Sequence, residues 1–462
     1  MKRNKNTYFY MVTISGLYFL MILLLHSRLQ VEICLSQTGN QKYQIRNNSV
    51  NNLAVDNVLT LTRLQTEVLT IAPCHLSSET TQFSFQTIAE NLFYVYTAYL
   101  DKRMNTTYVR IMSILLRGKK DNINVFCSFK GDNLIKVAAN KYEMCENHNK
   151  KFGGWIMSCP IPENIPDPCD VTVSYTLNTE ASTKGNNVTL NIIPLESQNT
   201  KVQYTVCIPP LFGSVNSSRL IEFMEFTKYL GAEKFIFYTH GIQDEKSKIA
   251  LEHYSNESLV TVIPWKLPDS IQEGHIWYHG QLIAHNDCLY RSMSLTDKLA
   301  IQDIDELIVP HDSTVFWDQS LTPLLSGNVK GLGIHSAFFD TSLKGDVLAI
   351  SSIKRTKNFS RFRTKVLVKP SAIFEVGIHH VSKPLLEEYK IISPPTSKVL
   401  LHHYRSCLSN YGMNCKDWVL DQTIKVKYGH VRNKILHVKS TVDTLSHLSA
   451  QMVNTTKNKL FS

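Results

Sequence analysis

Two patterns of apolar and polar residues divide the chain after its first 75 residues. In the first, short runs such as NLFYVYTAYL and NVTLNII alternate apolar with polar positions, and Gly, Asn and Asp separate the runs. A repeat of two residues is typical of antiparallel strands with one buried face. We therefore predict a small antiparallel sandwich, a β-rich accessory domain over residues 76–198.

The second pattern begins at about residue 201 and alternates strands with helices. VQYTVCIPPLFG predicts a buried strand, SSRLIEFMEFTKYLG a helix that ends at Gly231, and EKFIFYTHG the next strand. This alternation predicts a mostly parallel sheet, in which ligands bind beyond the carboxyl ends of the strands. Neither a GxGxxG fingerprint nor a P-loop motif follows the first strand, which argues against dinucleotide and P-loop nucleotide chemistry. We predict an α/β domain over residues 199–440 and a C-terminal tail over 441–462.

The N-terminus predicts a membrane anchor. MKRNKN carries three cations, and no charge interrupts the 18 residues from Tyr8 to Leu25. A run of this length is about the shortest that spans a bilayer as a helix, and cations before it place the N-terminus in the cytosol. A cleaved signal peptide is the alternative, but the run is long and no small-x-small cleavage site follows it. We predict a cytosolic tail over 1–7, a transmembrane helix over 8–25 and a flexible polar stem over 26–75.

Sequons and cysteines agree with a lumenal location for the rest of the chain. Asn-x-Ser/Thr glycosylation sequons occur at seven positions: Asn47, Asn105, Asn187, Asn216, Asn256, Asn358 and Asn454. Ten cysteines in an oxidising compartment predict disulfides. Their spacing predicts two local pairs, Cys407 with Cys415 and Cys145 with Cys159. No CxxC pair or His/Cys cluster with zinc spacing is present, so the cysteines are interpreted as structural.

Composition describes a globular protein whose charge does not identify a partner. The 462 residues are 43% hydrophobic and 19% charged, with a formal net charge of +10. The lysines and arginines are scattered, without an arginine-rich run or a basic stripe with interleaved aromatics, which argues against nucleic acid as a partner. A basic surface that attracts anionic small molecules or membrane headgroups accounts for the charge.

One acidic segment, AIQDIDELIVP over residues 300–310, lies between apolar flanks. Its acids are either a solvated turn between two strands or a group that binds something positive. In one extended strand, Asp303 and Asp305 project from the same face, while Glu306 points the other way and supports the site. Paired carboxylates repel each other unless a cation lies between them, and oxygen ligands favour Mn²⁺ or Mg²⁺. We predict a metal site here that neutralises charge on a departing diphosphate.

Six segments, in order along the chain, resemble glycosyltransferase family 92: CIPPLFG, KYLGAEKFIFYTHG, GQLIAHNDCLYRS, DIDELIVP, KPSAIFEVGIHHV and LLHHYRS. The resemblance covers roughly residues 200–430 and extends neither to the stem nor to the β-rich region. It implies a GT-A fold, Rossmann-like with a mostly parallel sheet, and a nucleotide-sugar donor, typically UDP-galactose. Known members of the family include β-1,4-galactosyltransferases of animals and plants.

The resemblance also implies roles for individual residues. Asp303 and Asp305 hold Mn²⁺ and through it the UDP diphosphate, and His379 completes the metal shell. Three other histidines are alternatives for that ligand: His380, His402 and His403. Arg405 suits the diphosphate, because a guanidinium pairs with phosphate oxygens bidentately. Donor binding is predicted for five residues: Gln281, Asn286, Arg291, His403 and Arg405.

Two of the segments carry a structural alternative. Asp287 and Arg291 are four residues apart on an amphipathic helix and are interpreted either as a surface ion pair or, for Arg291, as a donor contact. Phe237 and Tyr238 end a strand of the sheet, where they either flank the uracil or pack in the core.

The general base stays open. Family members studied as galactosyltransferases invert the anomeric centre, which requires one carboxylate to take the proton of the acceptor hydroxyl. Four acids follow the metal site, and spacing does not choose among them: Asp340, Glu375, Glu387 and Asp417.

These predictions describe a type II Golgi membrane enzyme. It moves galactose from UDP-galactose onto a terminal galactose or fucose of a glycoprotein glycan, and its oligomeric state is left open. Another UDP-hexose donor is one alternative. The other is a membrane-anchored glycan-binding protein with an inactive second domain. The intact pair Asp303 and Asp305 argues against this glycan-binding alternative, because an inactive domain has no reason to keep two repelling acids on a buried strand.

Overall fold

The computed structural model describes residues 83–460 except for 120–121, 132, 166, 179–184, 196–200, 344 and 408–414, and only the backbone of 452–460. The predicted cytosolic tail, transmembrane helix and stem lie outside the described residues, as does the sequon at Asn47. Among the described residues, no helix combines the length and the apolar character needed to cross a bilayer. Residues 82–462 form one compact unit.

The β-rich region folds, over its described residues, as nine strands of one sheet. In chain order they are β1 (Gln86–Ala89), β2 (Phe93–Asp101), β3 (Tyr108–Leu116), β4 (Ile123–Lys130), β5 (Leu134–Ala138), β6 (Asn140–Glu143), β7 (Phe152–Pro160), β8 (Asp170–Leu177) and β9 (Val188–Pro194). Their order across the sheet is β5-β4-β8-β9-β2-β3-β7-β6, and β1 pairs with β2. Only the β2–β9 pair is parallel among the pairings of these described strands, so the predicted antiparallel character is confirmed.

The central strands β2, β3 and β7 are buried on both faces. One face, with Val95 and Ile111, packs inside the β-rich region. The opposite face, with Tyr99, packs in a shared core against Tyr238 and Leu282 of the α/β region. Because both faces are covered, YVRIMSILL lacks the strict alternation of a strand with one wet face. The β-rich region is therefore built onto the α/β region rather than tethered to it.

The described part of the α/β region contains thirteen strands. They are β10 (Val202–Gly213), β11 (Lys234–Ile242), β12 (Val260–Pro264), β13 (Thr296–Ile301), β14 (Glu306–Pro310), β15 (Val329–Phe338), β16 (Lys354–Thr356), β17 (Ser360–Val368), β18 (Ile373–Val376), β19 (Val381–Pro384), β20 (Lys390–Ile392), β21 (Val399–His403) and β22 (Trp418–Leu420). The main sheet has the order β12-β11-β10-β13-β17-β15-β21-β14, with β20 on β15. Five of its eight pairings are parallel, which agrees with the predicted mostly parallel sheet.

Seven α-helices cover this sheet or follow it. They are α1 (Ser217–Leu230), α2 (Glu245–Asn256), α3 (Gln281–Ser292), α4 (Trp317–Ser320), α5 (Leu348–Ser351), α6 (Thr423–Tyr428) and α7 (Arg432–Leu460) among the described residues. The predicted end of α1 is confirmed, because Gly231 has φ 125° and its N–H donates to the carbonyls of Lys228 and Thr227. The domain boundary predicted at residue 440 falls inside α7, which contacts α1 through Lys439 and Glu222 at 2.7 Å.

Three disulfides join described cysteines: Cys127–Cys159, Cys207–Cys288 and Cys407–Cys415. The predicted local pair Cys407–Cys415 is confirmed, but the pair of Cys145 with Cys159 is wrong. The sheet brings Cys127 of β4 within 6.1 Å (Cα–Cα) of Cys159 of β7, although 32 residues separate them. Short spacing along the chain therefore selected the wrong partner, because tertiary contacts decide which cysteines meet.

Candidate active site

The acidic residues form a turn between two strands. β13 ends at Ile301 and β14 begins at Glu306, so the prediction of one continuous strand is wrong. The turn is closed twice: Glu306 N–H donates to the Asp303 carbonyl at 3.1 Å, and Asp303 N–H donates to Glu306 Oε2 at 3.0 Å. Asp side chains and short polar bonds of this kind favour turns over extended chain. Residues 302–306 are called the acidic turn below.

The acidic turn lies at the crevice of the sheet. The chain runs outward from β10 through β11 to β12, and then returns to the other side of β10 as β13. β10 pairs in parallel with both β11 and β13. In sheets of this kind, ligands bind beyond the carboxyl ends of strands at such a switch point. The predicted location of the acids at the carboxyl end of a parallel strand is confirmed.

A buried lysine lies against these acids. Lys365 of β17 is 0% exposed, and its Nζ lies 2.8 Å from Asp303 Oδ2 and 3.6 Å from Glu306 Oε2. Burial acts to raise the pKa of Asp303, but the Lys365 ammonium outweighs it and holds that pKa below its usual value. Lys365 therefore neutralises part of the charge of the turn, while the side chains of Asp303 and Asp305 stay 35% and 21% exposed.

Three residues, Asp305, Glu306 and His403, offer metal-ligand atoms. Nε2 of His403 lies 3.5 Å from Asp305 Oδ2, and its Nδ1 lies 3.6 Å from Glu306 Oε1. One ligand atom from each residue lies within 4.8 Å of the others. Among the described residues, both His403 nitrogens and Glu306 Oε1 are buried without a hydrogen-bond partner. Unpartnered oxygen and imidazole atoms suit Mn²⁺, so the residues fit the implied ion.

The protonation state of Glu306 depends on its burial. Glu306 is 1% exposed, and burial raises its pKa to about 7 despite the favourable charge of Lys365. Burial also acts to raise the pKa of Asp305, but His403 and Arg405 outweigh it and lower that pKa. The two neighbouring acids therefore shift in opposite directions, and Glu306 holds a proton more readily than Asp305 does.

The predicted metal ligands are only partly brought together. Asp305 faces His403, but Asp303 is turned toward Lys365. His379 does not join the group: its Nδ1 donates to the Thr364 carbonyl at 3.0 Å, and its Nε2 accepts from Arg363 at 3.2 Å. The Nε2 lone pair that a metal would take is therefore already used. The assignment of His379 stays a prediction, and His403 occupies the place expected for it.

The other histidines and Arg405 separate into different environments. His380 lies 3.8 Å from Glu146, and His402 lies 2.7 Å from His311 on the far side of β21. Arg405 is exposed two residues after His403, and its charge lowers the pKa of Asp305. Of the residues predicted for donor binding, His403 and Arg405 are thus next to the acidic turn.

The predicted donor-binding residues on α3 lie in the core. Gln281 and Asn286 are buried, and Asn286 bonds to the main chain of Leu282 and Val376. Arg291 pairs with Asp287 at 3.0 Å, as the sequence predicted, but their side chains are 14% and 0% exposed, so the pair is not on the surface. Donor binding by these residues stays a prediction, while the structure gives Asn286 and Arg291 contacts within the α/β region.

Two of the four candidate bases are exposed, one is buried and one lies at the edge of the sheet. Glu387 and Asp417 are exposed. Glu375 is 0% exposed and accepts hydrogen bonds from the Tyr142 hydroxyl at 2.7 Å and the Cys145 N–H at 2.9 Å. Asp340 follows β15, whose Phe338 is opposite His403 in the parallel pair β15–β21. Its position therefore places it at the same edge as the acidic turn.

Comparison with known proteins decides the family. The sequence model of glycosyltransferase family 92 matches residues 202–450, which is more than half of the chain. The chain belongs to glycosyltransferase family 92. It is therefore a glycosyltransferase, and membership implies a nucleotide-sugar donor and a glycan acceptor.

Family 92 relatives are found in animals and plants. The chain is 28% identical to beta-1,4-galactosyltransferase galt-1 of Caenorhabditis elegans over 349 residues, 70% of this chain and 76% of that protein. It is 24% identical to galactan beta-1,4-galactosyltransferase GALS1 of Arabidopsis thaliana, over 54% of this chain and 52% of that protein. The apo structure of the bifunctional glycosyltransferase WbbM aligns with 39% of this chain and 36% of its own at 9% identity and a TM-score of 0.20, too low to carry an argument.

The family 92 domain presents an exposed aromatic patch at the ends of β10 and β11. The Phe212 ring lies 4.3 Å from His279 and 6.0 Å from Tyr278, and His279 lies 4.7 Å from His240. Phe212 and Tyr278 are 39% and 55% exposed. Tyr278 and His279 also have positive φ angles of 40° and 53°, an unfavourable backbone for side chains of this size, and such strain clusters at ligand sites.

Sequence reasoning named a different aromatic pair for uracil. Phe237 and Tyr238 are fully buried, and the Tyr238 hydroxyl donates to Asp287 at 2.5 Å, so their core-packing alternative is confirmed. The positively charged member of the site, Lys365, was also missed. The local sequence does not single it out, since Lys365 only begins the apolar run KVLV and follows Arg361 and Arg363 closely.

Five of the predicted glycosylation sites can be located. All five are exposed: Asn105, Asn187, Asn216, Asn256 and Asn358. Asn454 is in α7, within the part whose side chains are not described. Their modification stays a prediction.

The buried acid Glu375 makes stability depend on pH in this glycosyltransferase. Burial raises its pKa from 4.5 to about 7, so the folded chain holds this proton more tightly than the unfolded chain. The stabilisation is complete below about pH 4.5 and is lost as pH rises through 7, a change of about 3 kcal/mol. We expect Glu375→Gln to be up to about 3 kcal/mol more stable than wild type at pH 8 but equal at pH 4, by urea unfolding.

The exposed acid Glu388 supplies the control. Glu388→Gln should follow the wild-type curve at both pH values, because an exposed carboxylate has little folded-state interaction to lose. Glu375→Gln should also keep its transferase activity, since the side chain contacts Tyr142 rather than the acidic turn. If Glu375→Gln keeps the wild-type pH dependence of stability, or if its turnover falls by 100-fold or more, the purely structural role of Glu375 is wrong.

Proposed function

We propose that the chain is a metal-dependent β-1,4-galactosyltransferase with a GT-A type catalytic domain that uses UDP-galactose. The observation that carries the proposal is the convergence of Asp305, Glu306 and His403 at the carboxyl end of β13, beside the switch point of the sheet. Two relatives with β-1,4-galactosyltransferase in their names support the donor and the linkage. A second function is not favoured by any particular feature of the site.

In this proposal, different residues bind different parts of the donor. Asp305, Glu306 and His403 hold Mn²⁺, with Asp303 near them and partly neutralised by Lys365. When bound, the ion neutralises charge on the diphosphate that leaves. Arg405 pairs with the diphosphate oxygens.

The aromatic patch takes the base of the donor. The exposed Phe212 ring lies at the carboxyl end of β10, which borders the crevice, and the exposed Tyr278 ring lies 6.0 Å from it. Stacking of a base on such rings contributes about 1–3 kcal/mol. When uracil binds against this patch, the diphosphate extends toward the acidic turn.

Asp340 is the general base in this proposal. It lies two residues past Phe338, whose ring stacks on His403 with centroids 4.9 Å apart. Its Oδ1 accepts from the Ser342 N–H at 2.9 Å, which orients the carboxylate. From the sheet edge it takes the proton of the acceptor hydroxyl while that oxygen attacks the anomeric carbon, with inversion. Galactose and fucose at the end of a glycoprotein glycan are the acceptors proposed.

The proposed location is the Golgi lumen. Support comes from the predicted N-terminal anchor and from the exposure of five sequons. In this arrangement the chain is a single-pass type II membrane protein, with the β-rich and α/β regions on the lumenal side.

A donor panel tests the function directly. The full-length chain is assayed for UDP release from UDP-galactose and other UDP-sugars, with galactose- and fucose-terminated glycans, with Mn²⁺ or with EDTA. We expect UDP-galactose to be used at least tenfold faster than the other donors, and EDTA to abolish the reaction. Preference for another UDP-hexose overturns the donor assignment, and release that survives EDTA overturns the metal. No release with any donor and acceptor favours a glycan-binding protein.

A further inference from the structure

A second group of metal-ligating side chains lies behind the strand that carries His403. His402 and His403 are neighbours in β21, so their side chains project to opposite faces of the sheet. His403 faces the acidic turn. His402 faces His311, which follows β14, and Asp421, which follows β22. The two groups share a strand but no residue.

Three ligand atoms converge in this second group. His311 Nε2 lies 2.7 Å from His402 Nε2 and 4.0 Å from Asp421 Oδ2, and all three atoms lie within 4.8 Å of one another. His402 is 0% exposed, and the side chains of the other two are 13% and 5% exposed. Ligands of four-coordinate zinc are about 3.3 Å apart, since the bonds to zinc are about 2.0–2.1 Å long. The observed separations lie on either side of that value.

Neighbouring groups orient the ligands. His402 Nδ1 lies 3.2 Å from the Tyr404 hydroxyl. Asp421 Oδ1 accepts from the Thr423 N–H at 3.1 Å, and Oδ2, which faces the imidazoles, also accepts from Arg355 at 2.7 Å. Metal-bound imidazoles and carboxylates in proteins are held by outer contacts of this kind.

We propose that His311, His402 and Asp421 form a zinc-binding site. Two imidazoles and one carboxylate are ligands that zinc prefers, and they leave a fourth position for water. The bound ion ties the ends of β14 and β22 to the back of β21, and so fixes the strand from which His403 reaches the acidic turn. The alternative is a plain N–H···N hydrogen bond between the two rings, and metal content separates the two. The proposal does not depend on which sugar the enzyme transfers.

Zinc content tests the site. The purified full-length chain is equilibrated with Zn²⁺, freed of loosely bound metal by gel filtration and analysed for metal by mass spectrometry. We expect zinc to be retained by wild type and its affinity to fall about 100-fold or more in His311→Gln and in His402→Gln, since loss of outer contacts alone costs 10- to 100-fold. Asp305→Asn, in the acidic turn, and His437→Gln, on the exposed side of α7, should retain the zinc.

Cobalt gives a second measurement that needs no variant to fold. Four-coordinate Co²⁺ in this site of the wild-type chain should absorb strongly in the visible range, unlike six-coordinate Co²⁺ at an oxygen-rich site, and added Zn²⁺ should abolish the absorption. A wild-type chain that retains no zinc and shows no such band overturns the proposal. Zinc that is unaffected by His311→Gln, or that is lost instead in Asp305→Asn, also overturns it.

Discussion

Asp305→Asn is expected to lower kcat/KM for galactosyl transfer by about 10³-fold. The change removes the charged oxygen that lies 3.5 Å from His403 and so weakens the proposed Mn²⁺ site. A metal ion that neutralises a leaving diphosphate contributes several kcal/mol, and about 4 kcal/mol corresponds to 10³ in rate. His403→Gln should give a loss of similar size. Initial rates of UDP release, together with Mn²⁺ affinity from titration calorimetry, measure both effects.

The matched control is Asp269→Asn, which removes one carboxylate that is 86% exposed and pairs with Lys266 on the surface. Its rates and Mn²⁺ affinity should equal those of wild type. Turnover within tenfold of wild type in both Asp305→Asn and His403→Gln rules out the metal assignment. If turnover falls but Mn²⁺ affinity does not, the two residues act on the substrate without holding the ion.

The acids were found from the sequence, but their surroundings were not. Spacing and the carboxyl end of a parallel strand are local features, so Asp303 and Asp305 could be located from them. Lys365 lies 62 residues from Asp303 and reaches it only because β17 inserts into the sheet beside β13. A pattern along the chain predicts that a strand is buried but not which strand becomes its neighbour.

The histidine beside the acids could not be identified from the sequence for the same reason. GIHH and LLHHYR each offer two adjacent histidines, and nothing in their spacing to the DID run distinguishes them. The structure distinguishes them by register: β14 pairs with β21 so that Glu306 is opposite His403. Because adjacent strand residues face opposite sides, the same register turns His402 away from the acidic turn. One long-range pairing therefore determines which of the two histidines reaches the acids.

The architecture was predictable in part. The parallel strands β10–β13 follow from alternating strand and helix patterns, since each βαβ unit is local in sequence. The antiparallel pairings of β14, β15 and β17 join strands separated by irregular segments, and no local pattern encodes them. The close union of the β-rich region with the α/β region was also not predicted. The two regions share an apolar core, and two buried acids, Asp287 and Glu375, accept hydrogen bonds from hydroxyl groups of the β-rich strands.

Asp287→Ala is expected to lower the free energy of unfolding by about 3–5 kcal/mol. Asp287 is fully buried in α3, where hydroxyls of Thr97 and Tyr99 from β2 donate to its Oδ1 at 2.6 Å. Tyr238 of β11 donates to Oδ2 at 2.5 Å, and Arg291 pairs with the same oxygen at 3.0 Å. Alanine removes the acceptor of all these groups and leaves a guanidinium without its partner, and losing one partner of a buried ion pair has this magnitude.

Three further variants of the full-length chain distinguish the contribution of the Asp287 charge from that of a single hydrogen bond. The measurement is urea unfolding in EDTA. Tyr238→Phe removes one hydroxyl but keeps the carboxylate, so we expect a loss of about 1 kcal/mol. Asp287→Asn keeps the shape but not the charge and should lie between Tyr238→Phe and Asp287→Ala. The exposed change Asp269→Ala should stay within about 0.5 kcal/mol of wild type. An Asp287→Ala loss no larger than that of Tyr238→Phe would show that the junction is held by apolar packing, with the buried carboxylate contributing little.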